Sequence, residues 1–180
     1  MLFGRLSQSL NSINKNIDFY NLQNNLRFYL NPLAKLQFNK EISNNLAILN
    51  NNINEYGYSK NLLSLNPLIH SYIIIWNEYS KTKLHGHSEN GCFSYLIKGN
   101  LLEEVYKNDH LIKYNFMNES NNSKLSFIDN NIGQHIVSNL NDELSYSINI
   151  YSPSPTIKIS ELGLNSKDIE FYNKINNLQN

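Results

Sequence analysis

The sequence predicts a mainly β protein, a sandwich or barrel, with helices packed on it at the N-terminus. From about Tyr56 onward, short segments rich in β-branched and aromatic residues alternate with turn signals. This pattern is typical of antiparallel sandwiches and barrels. Asn90-Gly91 is a signal for a tight hairpin, and Lys107-Asn108-Asp109 is a second polar turn. The predicted strands cover residues 68–76, 84–88, 92–98, 100–106, 111–117, 125–128, 134–137, 144–151 and 156–159.

The first third of the chain has helical periodicity instead. Leu22, Leu26 and Tyr29 share one helical face, and Asn31-Pro32 ends that helix and suits the start of another. A short amphipathic helix is also predicted near the C-terminus. Because no long linker interrupts the chain, we expect a single domain over residues 1–180. It divides into a helical flank at 1–54, a β-barrel core at 55–160 and a tail at 161–180.

Composition narrows the possible partners and the compartment. The 180 residues carry a net charge of zero, and without a basic stripe or polybasic segment we expect neither nucleic acid nor membrane as a partner. Cys92 is the only cysteine, so no intramolecular disulfide can form, which fits a reducing compartment. The longest apolar run is too short to span a bilayer, and the N-terminus lacks the apolar segment of a secretory signal. We therefore expect a cytoplasmic monomer that acts on small molecules.

The residues that suggest chemistry begin with His85-Gly86-His87. On an extended segment, two histidines one residue apart point the same way, and His135 from a separate strand would complete a three-imidazole metal site. Iron(II), zinc and copper all accept imidazole ligands. A bare His-x-His is a weak signal by itself, and a coincidental pair on a solvated strand face is the alternative. His70 and His110 each stand alone, and we interpret them as a strand-face and a turn histidine without chemistry.

Two motifs around these histidines resemble those of the cupin family. The first cupin motif has His-x-His, a short gap, usually Glu, then six residues and Gly. The second has Gly, then His, then three residues and Asn. The corresponding residues here are His85, His87, Cys92 and Gly99, followed by Gly133, His135 and Asn139. Both motifs occur in order with β-rich sequence between them, so the resemblance implies a cupin-type β-sandwich/barrel.

Cys92 stands where most cupins have a carboxylate ligand. That departure, together with its surroundings, resembles the cysteine dioxygenase family from about Tyr56 to Pro153. No single motif is specific, but taken jointly they are. The matching stretches are Tyr58-Ser59-Lys60-Asn61-Leu62, Trp76, His85-Gly86-His87, Cys92-Phe93, Gly99-Asn100-Leu101, Gly133-Gln134-His135 and Tyr151-Ser152-Pro153.

The resemblance implies one non-haem Fe(2+), bound by His85, His87 and His135. Three neutral imidazoles leave the formal charge of the iron at +2, so a thiolate substrate would supply the missing anion. The implied reaction adds both atoms of dioxygen to the sulfur of L-cysteine and gives cysteine sulfinic acid. Because the iron performs the difficult step, proximity and orientation are the main contributions of the protein.

The resemblance also assigns roles to residues beside the iron. Cys92 and Tyr151 match the pair that forms a thioether crosslink in animal members of the family. A buried apolar cysteine and a core tyrosine are the alternative interpretation. Tyr58 and Trp76 match residues of the substrate pocket, although either would also suit an ordinary core.

Two positions depart from the family pattern. Lys60 replaces the Arg that binds the substrate carboxylate, and a point charge on a flexible stem orients a carboxylate less than a planar fork does. The alternative is a solvated strand lysine. Asn149 replaces the His of a late-strand set that here reads Ser147, Asn149 and Tyr151 on alternate positions. Asn149 can hydrogen-bond Tyr151 but cannot shuttle a proton.

These departures leave the substrate open. We expect the iron site to persist while substrate preference or rate differs from that of the standard enzyme. One alternative is a dioxygenase for another small thiol, such as 3-mercaptopropionate. Another is a cupin module that binds metal without turnover.

Overall fold

The computed structural model describes residues 53–65, 69–87, 91–120 and 124–151. Among these residues, no helix has the length and apolar character that crossing a membrane requires. The regular elements in these ranges are the strands β1 (Tyr58–Leu65), β2 (His70–Trp76), β3 (Cys92–Lys98), β4 (Asn100–Lys107), β5 (His110–Asn118), β6 (Leu125–Ile128), β7 (Gln134–Ser138) and β8 (Ser145–Tyr151).

The strands form two antiparallel sheets that enclose an apolar core. One sheet has the order β1-β2-β8-β3-β6, and the other has the order β5-β4-β7. Side chains from both sheets meet in one buried cluster, as expected for the interior of a sandwich. The mainly β prediction is therefore confirmed. The cluster comprises Leu62, Tyr72, Ile74, Trp76, Leu96, Leu101, Met117 and Val137.

The predicted strand bounds agree closely with those of the structure. Strands 92–98 and 125–128 are confirmed as predicted, and four others shift by one residue at one or both ends. The strand predicted at 68–76 begins at His70, and β1 is an addition to the predicted set. The predicted N-terminal and C-terminal helices and the strand at 156–159 lie outside the described residues, as does the domain bound at 160.

The prediction of a strand at 84–88 is wrong, since the described residues 84–87 do not form one. This segment runs beside β7 but pairs with it at two isolated bridges, Lys81 with Ser138 and His85 with His135. Between those bridges the Thr82 hydroxyl accepts the Val137 amide N–H at 3.0 Å. A side-chain oxygen thus takes a bond that a backbone carbonyl supplies in a regular ladder, so continuous pairing is interrupted. The turn predicted after this segment lies largely outside the described residues.

The predicted turn between β4 and β5 is confirmed. Asn108 and Asp109 have φ values of 50° and 63°, and the flanking residues Lys107 and His110 pair across the hairpin. Two consecutive residues with positive φ define the type I′ geometry, which matches the twist of the two strands. Asn and Asp tolerate this conformation better than most residues, which explains why this dipeptide forms the turn.

Gly99 forms the corner between β3 and β4. Its φ is +88°, a conformation that L side chains rarely adopt. A Cβ atom at this position would collide with the side chain of Ser145, which donates a hydrogen bond to the Asn100 carbonyl at 3.2 Å. Glycine at this motif position therefore lets the chain pass from one sheet to the other.

Candidate metal centre and pocket

Three imidazole rings converge at the edge of the three-stranded sheet. The Nε2 atoms of His87 and His135 lie 2.7 Å apart, and those of His85 and His135 lie 3.2 Å apart. The ligand atoms of all three residues lie within 4.8 Å of one another. Nitrogens that each bind one ion at about 2.0–2.1 Å are about 3 Å apart, so this arrangement fits a single metal ion.

Pairing of the backbone brings two of these rings together. His135 lies on β7, and its N–H and C=O exchange hydrogen bonds with the C=O and N–H of His85 at 2.9 and 3.1 Å. The rings of this bridged pair lie with centroids 4.6 Å apart. The two side chains converge although the segment of His85 is not a strand, because a single bridge is enough to align one residue with its partner.

Asn130 holds the third histidine by its backbone. The Asn130 Oδ1 accepts the His87 N–H at 2.9 Å, and the Asn130 amide donates to the His87 carbonyl. This side chain thus gives His87 the two bonds that a neighbouring strand would otherwise supply. A Cβ at Gly86 would lie 2.6 Å from the same Oδ1, so glycine allows the close approach of Asn130. Asn130 belongs to none of the sequence motifs and was not among the predicted site residues.

Hydrogen bonds at Nδ1 orient two of the rings toward the metal position. The Nδ1–H of His85 donates to the carbonyl of Lys83 at 2.8 Å, and that of His135 donates to Oε1 of Glu103 at 2.6 Å. A ring that carries its proton on Nδ1 has its lone pair on Nε2, the atom that faces the other histidines. Neither of these acceptors was among the predicted site residues.

Glu103 is a buried carboxylate, only 3% exposed. Its oxygens also accept hydrogen bonds from the Ser126 hydroxyl and, at 3.1 Å, from the Asn115 amide. Burial by itself would raise the pKa of this carboxyl, but the hydrogen bonds and the charge of His135 outweigh it and leave the pKa below its usual value. A sequence signal was present, since Glu103 lies between Leu101 and Val105 on the alternating, inward-facing side of β4.

The environment keeps two of the candidate ligands neutral. Burial, with a smaller contribution from the charge of His135, lowers the pKa of His87 to about 3. The pKa of His85 is also lowered, again mainly by burial. A neutral imidazole has a free lone pair, so both rings are in the protonation state that metal binding needs.

The three histidines line one side of a cavity of about 280 Å³. This volume lies at the lower limit of ligand pockets and suits a small molecule. Five of the predicted pocket residues line the same cavity, whereas Cys92 and Ser147 lie behind its wall. The five are Tyr58, Lys60, Trp76, Asn149 and Tyr151.

Lys60 directs its ammonium group toward the aromatic wall of this cavity. Its Nζ lies 4.1 Å from the ring centre of Tyr72 and 4.3 Å from that of Tyr151. Both distances are in the range of cation–π contacts. Lys60 is an exposed residue, and it also lines the pocket.

Cys92 and Tyr151 face each other across neighbouring strands. They are direct partners in the β3–β8 register, and their side chains share a hydrogen bond. Burial raises the pKa of the Cys92 thiol to about 12 and that of the Tyr151 hydroxyl well above its usual value. Both groups are therefore protonated at neutral pH.

Asn149 contacts the sulfur of Cys92, not the expected partner Tyr151. Its Nδ2 lies 3.8 Å from Sγ of Cys92. Its Oδ1 accepts hydrogen bonds from the hydroxyls of Ser147 at 2.8 Å and Ser94 at 3.3 Å. Because both hydroxyls donate to the amide oxygen, the amide nitrogen is directed toward the sulfur.

Trp76 completes this chain of hydrogen bonds. Its Nε1–H donates to Ser147 Oγ at 3.0 Å, and the Ser147 hydroxyl then donates to Asn149. The chain contains no group that titrates near neutral pH, so it orients side chains and does not carry protons. Ser147 belongs to the network behind the pocket, although it is absent from the pocket wall.

The other two described histidines lie outside the metal cluster. His110 begins β5 and is exposed. His70 is half-buried against the rings of Tyr72 and Tyr151, and burial together with the charge of Lys60 lowers its pKa to about 4. His70 thus contributes to the aromatic packing behind Lys60 instead of to metal binding.

The two-sheet fold and the three-histidine cluster define a cupin-type protein with a candidate metal centre. The family described as cysteine dioxygenase type I matches residues 33–161. The chain therefore belongs to the cysteine dioxygenase family, which is a family of metalloenzymes, and the predicted membership is confirmed.

Similarity to individual proteins covers a smaller part of the chain. Over 106 residues it is 30% identical to cysteine dioxygenase type 1 of Rattus norvegicus, with 55% of this chain and 52% of that protein covered. The identity to the Homo sapiens protein is 28% with the same coverage. The chain thus spans about half the length of the curated relatives it matches. An RmlC-like cupin from Shewanella frigidimarina is 15% identical, with a TM-score of 0.43 over 56% of this chain and 80% of that one.

Proposed function

We propose that this protein is a thiol dioxygenase that uses Fe(2+) and O2 to oxidise L-cysteine to cysteine sulfinic acid. The observation that carries the proposal is the three-imidazole cluster at one side of a small pocket, which the positively charged Lys60 also lines. Membership of the cysteine dioxygenase family supports the same chemistry. We also propose that a monomer performs the reaction in the cytoplasm, since a chain with a single cysteine has no intramolecular disulfide that would need an oxidising compartment.

The donor set suits ferrous ion, with His85, His87 and His135 as its ligands. When bound, iron would supply the electron-transfer chemistry that joins a thiol to dioxygen, and its uncompensated charge would favour a thiolate. In the balanced reaction a thiol and O2 give a sulfinic acid. The sulfur loses four electrons and both oxygen atoms become bonded to it, so no external reductant is needed.

The chain itself would bind and orient the substrate. The ammonium group of Lys60 attracts a carboxylate, and its contacts with Tyr72 and Tyr151 limit where that charge can go. The substrate would span the cavity, with its carboxylate at Lys60 and its sulfur at the histidines. Binding in this pose brings the reacting groups together, so the loss of translational and rotational entropy occurs before the reaction. Tyr151 holds its proton on the hydroxyl at the wall between these two ends.

We also propose that Cys92 and Tyr151 form a thioether bond. The bond would join Sγ to a ring carbon beside the hydroxyl, with loss of the thiol hydrogen and one ring hydrogen as O2 accepts two electrons. Their direct pairing across β3 and β8 and their shared hydrogen bond support this step. Intact mass measurement after turnover should show a species lighter by the mass of two hydrogen atoms, absent in Cys92→Ser.

Oxygen consumption by the iron-loaded protein tests the main proposal. L-Cysteine and 3-mercaptopropionate should be compared at equal concentration, with sulfinate products identified by mass. Faster sulfinate formation from L-cysteine supports the proposal as stated. A preference for 3-mercaptopropionate would retain the chemistry and change the substrate. If the protein retains iron but consumes no oxygen with either thiol, it is a metal-binding cupin module and not a dioxygenase.

A further inference from the structure

Two of the candidate ligands, His135 and His85, differ in the acceptor that their Nδ1–H group meets. His135 donates its Nδ1–H to the carboxylate of Glu103 at 2.6 Å, whereas His85 donates to a neutral backbone carbonyl at 2.8 Å. A hydrogen bond to a charged acceptor is shorter and about twice as strong as one to a neutral acceptor. The metal centre is therefore electrostatically asymmetric before any ion binds.

Glu103 is a buried charge with an unusual set of partners. Ser126 and Asn115 donate to Oε2, and His135 donates to Oε1. In the described part of the chain, no lysine or arginine lies within salt-bridge distance of this carboxylate. A buried carboxylate without a cationic partner is costly. Any positive charge that compensates it must therefore come through His135.

Two neutral donors also hold the carboxylate in place. With Oε2 occupied by Ser126 and Asn115, the orientation of the carboxylate leaves Oε1 for the imidazole. Ser126 lies on β6 in one sheet, and Asn115 lies on β5 in the other, so both sheets fix the position of Glu103. Such a carboxylate cannot easily rotate away from the imidazole of His135.

We infer that Glu103 is a positioning residue that acts through His135 and strengthens the binding of a divalent cation at the three histidines. It keeps the proton of His135 on Nδ1 and increases the electron donation of Nε2. The inference rests on the metal site of the proposed function, but not on the oxidation of any thiol.

Glu103→Gln removes the charge while it keeps the shape and an acceptor oxygen. The matched control is Glu104→Gln, since Glu104 is the next residue on β4, faces the opposite side and pairs with Lys81 at 3.1 Å. Affinity for Co(2+) should be measured by competition with a chelator. Removal of such a carboxylate typically costs 10–100-fold in metal affinity. We therefore expect a loss of about 10–100-fold in Glu103→Gln and less than about twofold in the control.

A second readout separates charge from packing. In the iron-loaded protein, loss of a nearby negative charge destabilises the ferric more than the ferrous state, so Glu103→Gln should shift the reduction potential to a more positive value. Glu103→Asp keeps the charge and should recover part of the cobalt affinity. Thermal unfolding of each metal-free variant establishes that it is folded before it is titrated.

Equal cobalt affinity in the wild type and Glu103→Gln would overturn the inference. Equal weakening in the Gln and Asp variants, with an unchanged potential, would also overturn it and assign Glu103 to packing. Cobalt binding that depends on Glu103 in a protein that oxidises no thiol would reject the proposed function and still support this inference.

Discussion

The two ends of the pocket are held in different ways. At the metal end, His85 and His135 are fixed by paired backbone bonds, and Asn130 holds the backbone of His87. At the substrate end, Lys60 extends a flexible stem whose charge rests against two aromatic rings. Because the ligands and Lys60 are held by separate contacts, we expect metal binding and substrate choice to respond to mutation independently.

Loss of one histidine ligand should abolish metal binding. His135→Ala removes a ring that lies within 3.2 Å of both other Nε2 atoms and leaves Glu103 buried without its imidazole. We expect no retained iron after gel filtration, measured by elemental analysis. His110→Ala is the control, because this exposed residue begins β5 outside the cluster, and it should retain iron at the wild-type level. If both variants lose iron to the same degree, the ligand assignment is wrong.

Substitution of Lys60 should weaken substrate binding without affecting metal binding. Lys60→Met keeps a long apolar stem and removes the charge, so KM for L-cysteine should rise by about tenfold or more, as expected when a charge-assisted hydrogen bond worth about 1.5–3 kcal/mol is lost. Iron content should not change. Steady-state oxygen consumption gives KM and kcat separately. An unchanged KM would show that Lys60 does not bind the carboxylate.

Lys60→Arg tests whether the shape of the cationic head group affects substrate binding. A planar guanidinium can bind a carboxylate with two hydrogen bonds, so this variant should orient the substrate more tightly than wild-type Lys60. We expect KM for L-cysteine to fall by several-fold and discrimination between carboxylate-bearing and neutral thiols to increase, in the same oxygen assay. A rise in KM would mean that Tyr72 and Tyr151 leave no room for the larger head group.

Removal of the Asn130 side chain should weaken the metal end without abolishing it. Asn130→Ala takes away both bonds to the backbone of His87 but leaves every ligand in place. We expect metal affinity to fall by about tenfold, the lower limit for loss of a supporting contact. Asn131→Ala is the matched control, because the neighbouring exposed asparagine uses its backbone carbonyl, not its side chain, to accept from Lys107. Equal affinities for Co(2+) in the two variants would contradict this role.

The smallest effect is expected from a mutation in the hydrogen-bond network behind the pocket, and it concerns stability. Trp76→Phe keeps an aromatic ring in the core but removes the Nε1–H that donates to Ser147 at 3.0 Å. One buried hydrogen bond contributes about 1 kcal/mol, so urea unfolding should show a loss of about that size with an unchanged m-value. Iron content should be unaffected. A stability equal to that of the wild type would show that water replaces the lost donor.

Strand and ligand positions were accessible from the sequence because they depend on short-range patterns. Short segments rich in β-branched and aromatic residues between turn signals predicted strands 92–98 and 125–128 at their observed bounds. Motif spacing identified the three histidines that the structure brings together. The pattern failed at 84–88, where a Thr82 hydroxyl takes a bond that belongs to a regular ladder. No local pattern reveals that substitution of a side-chain acceptor for a backbone one.

The sequence by itself predicted which residues can bind a metal, that His135 lies on a strand, and where Lys60 and Asn149 depart from the family. Only the tertiary structure decided that Glu103 supports His135 across 32 positions, that Asn130 holds His87 across 43, and that the Asn149 amide meets Cys92 across 57. The physical reason is that periodicity and motif spacing are properties of neighbours along the chain. The direction of a hydrogen bond is set by whichever distant groups the packed sheets bring within about 3 Å.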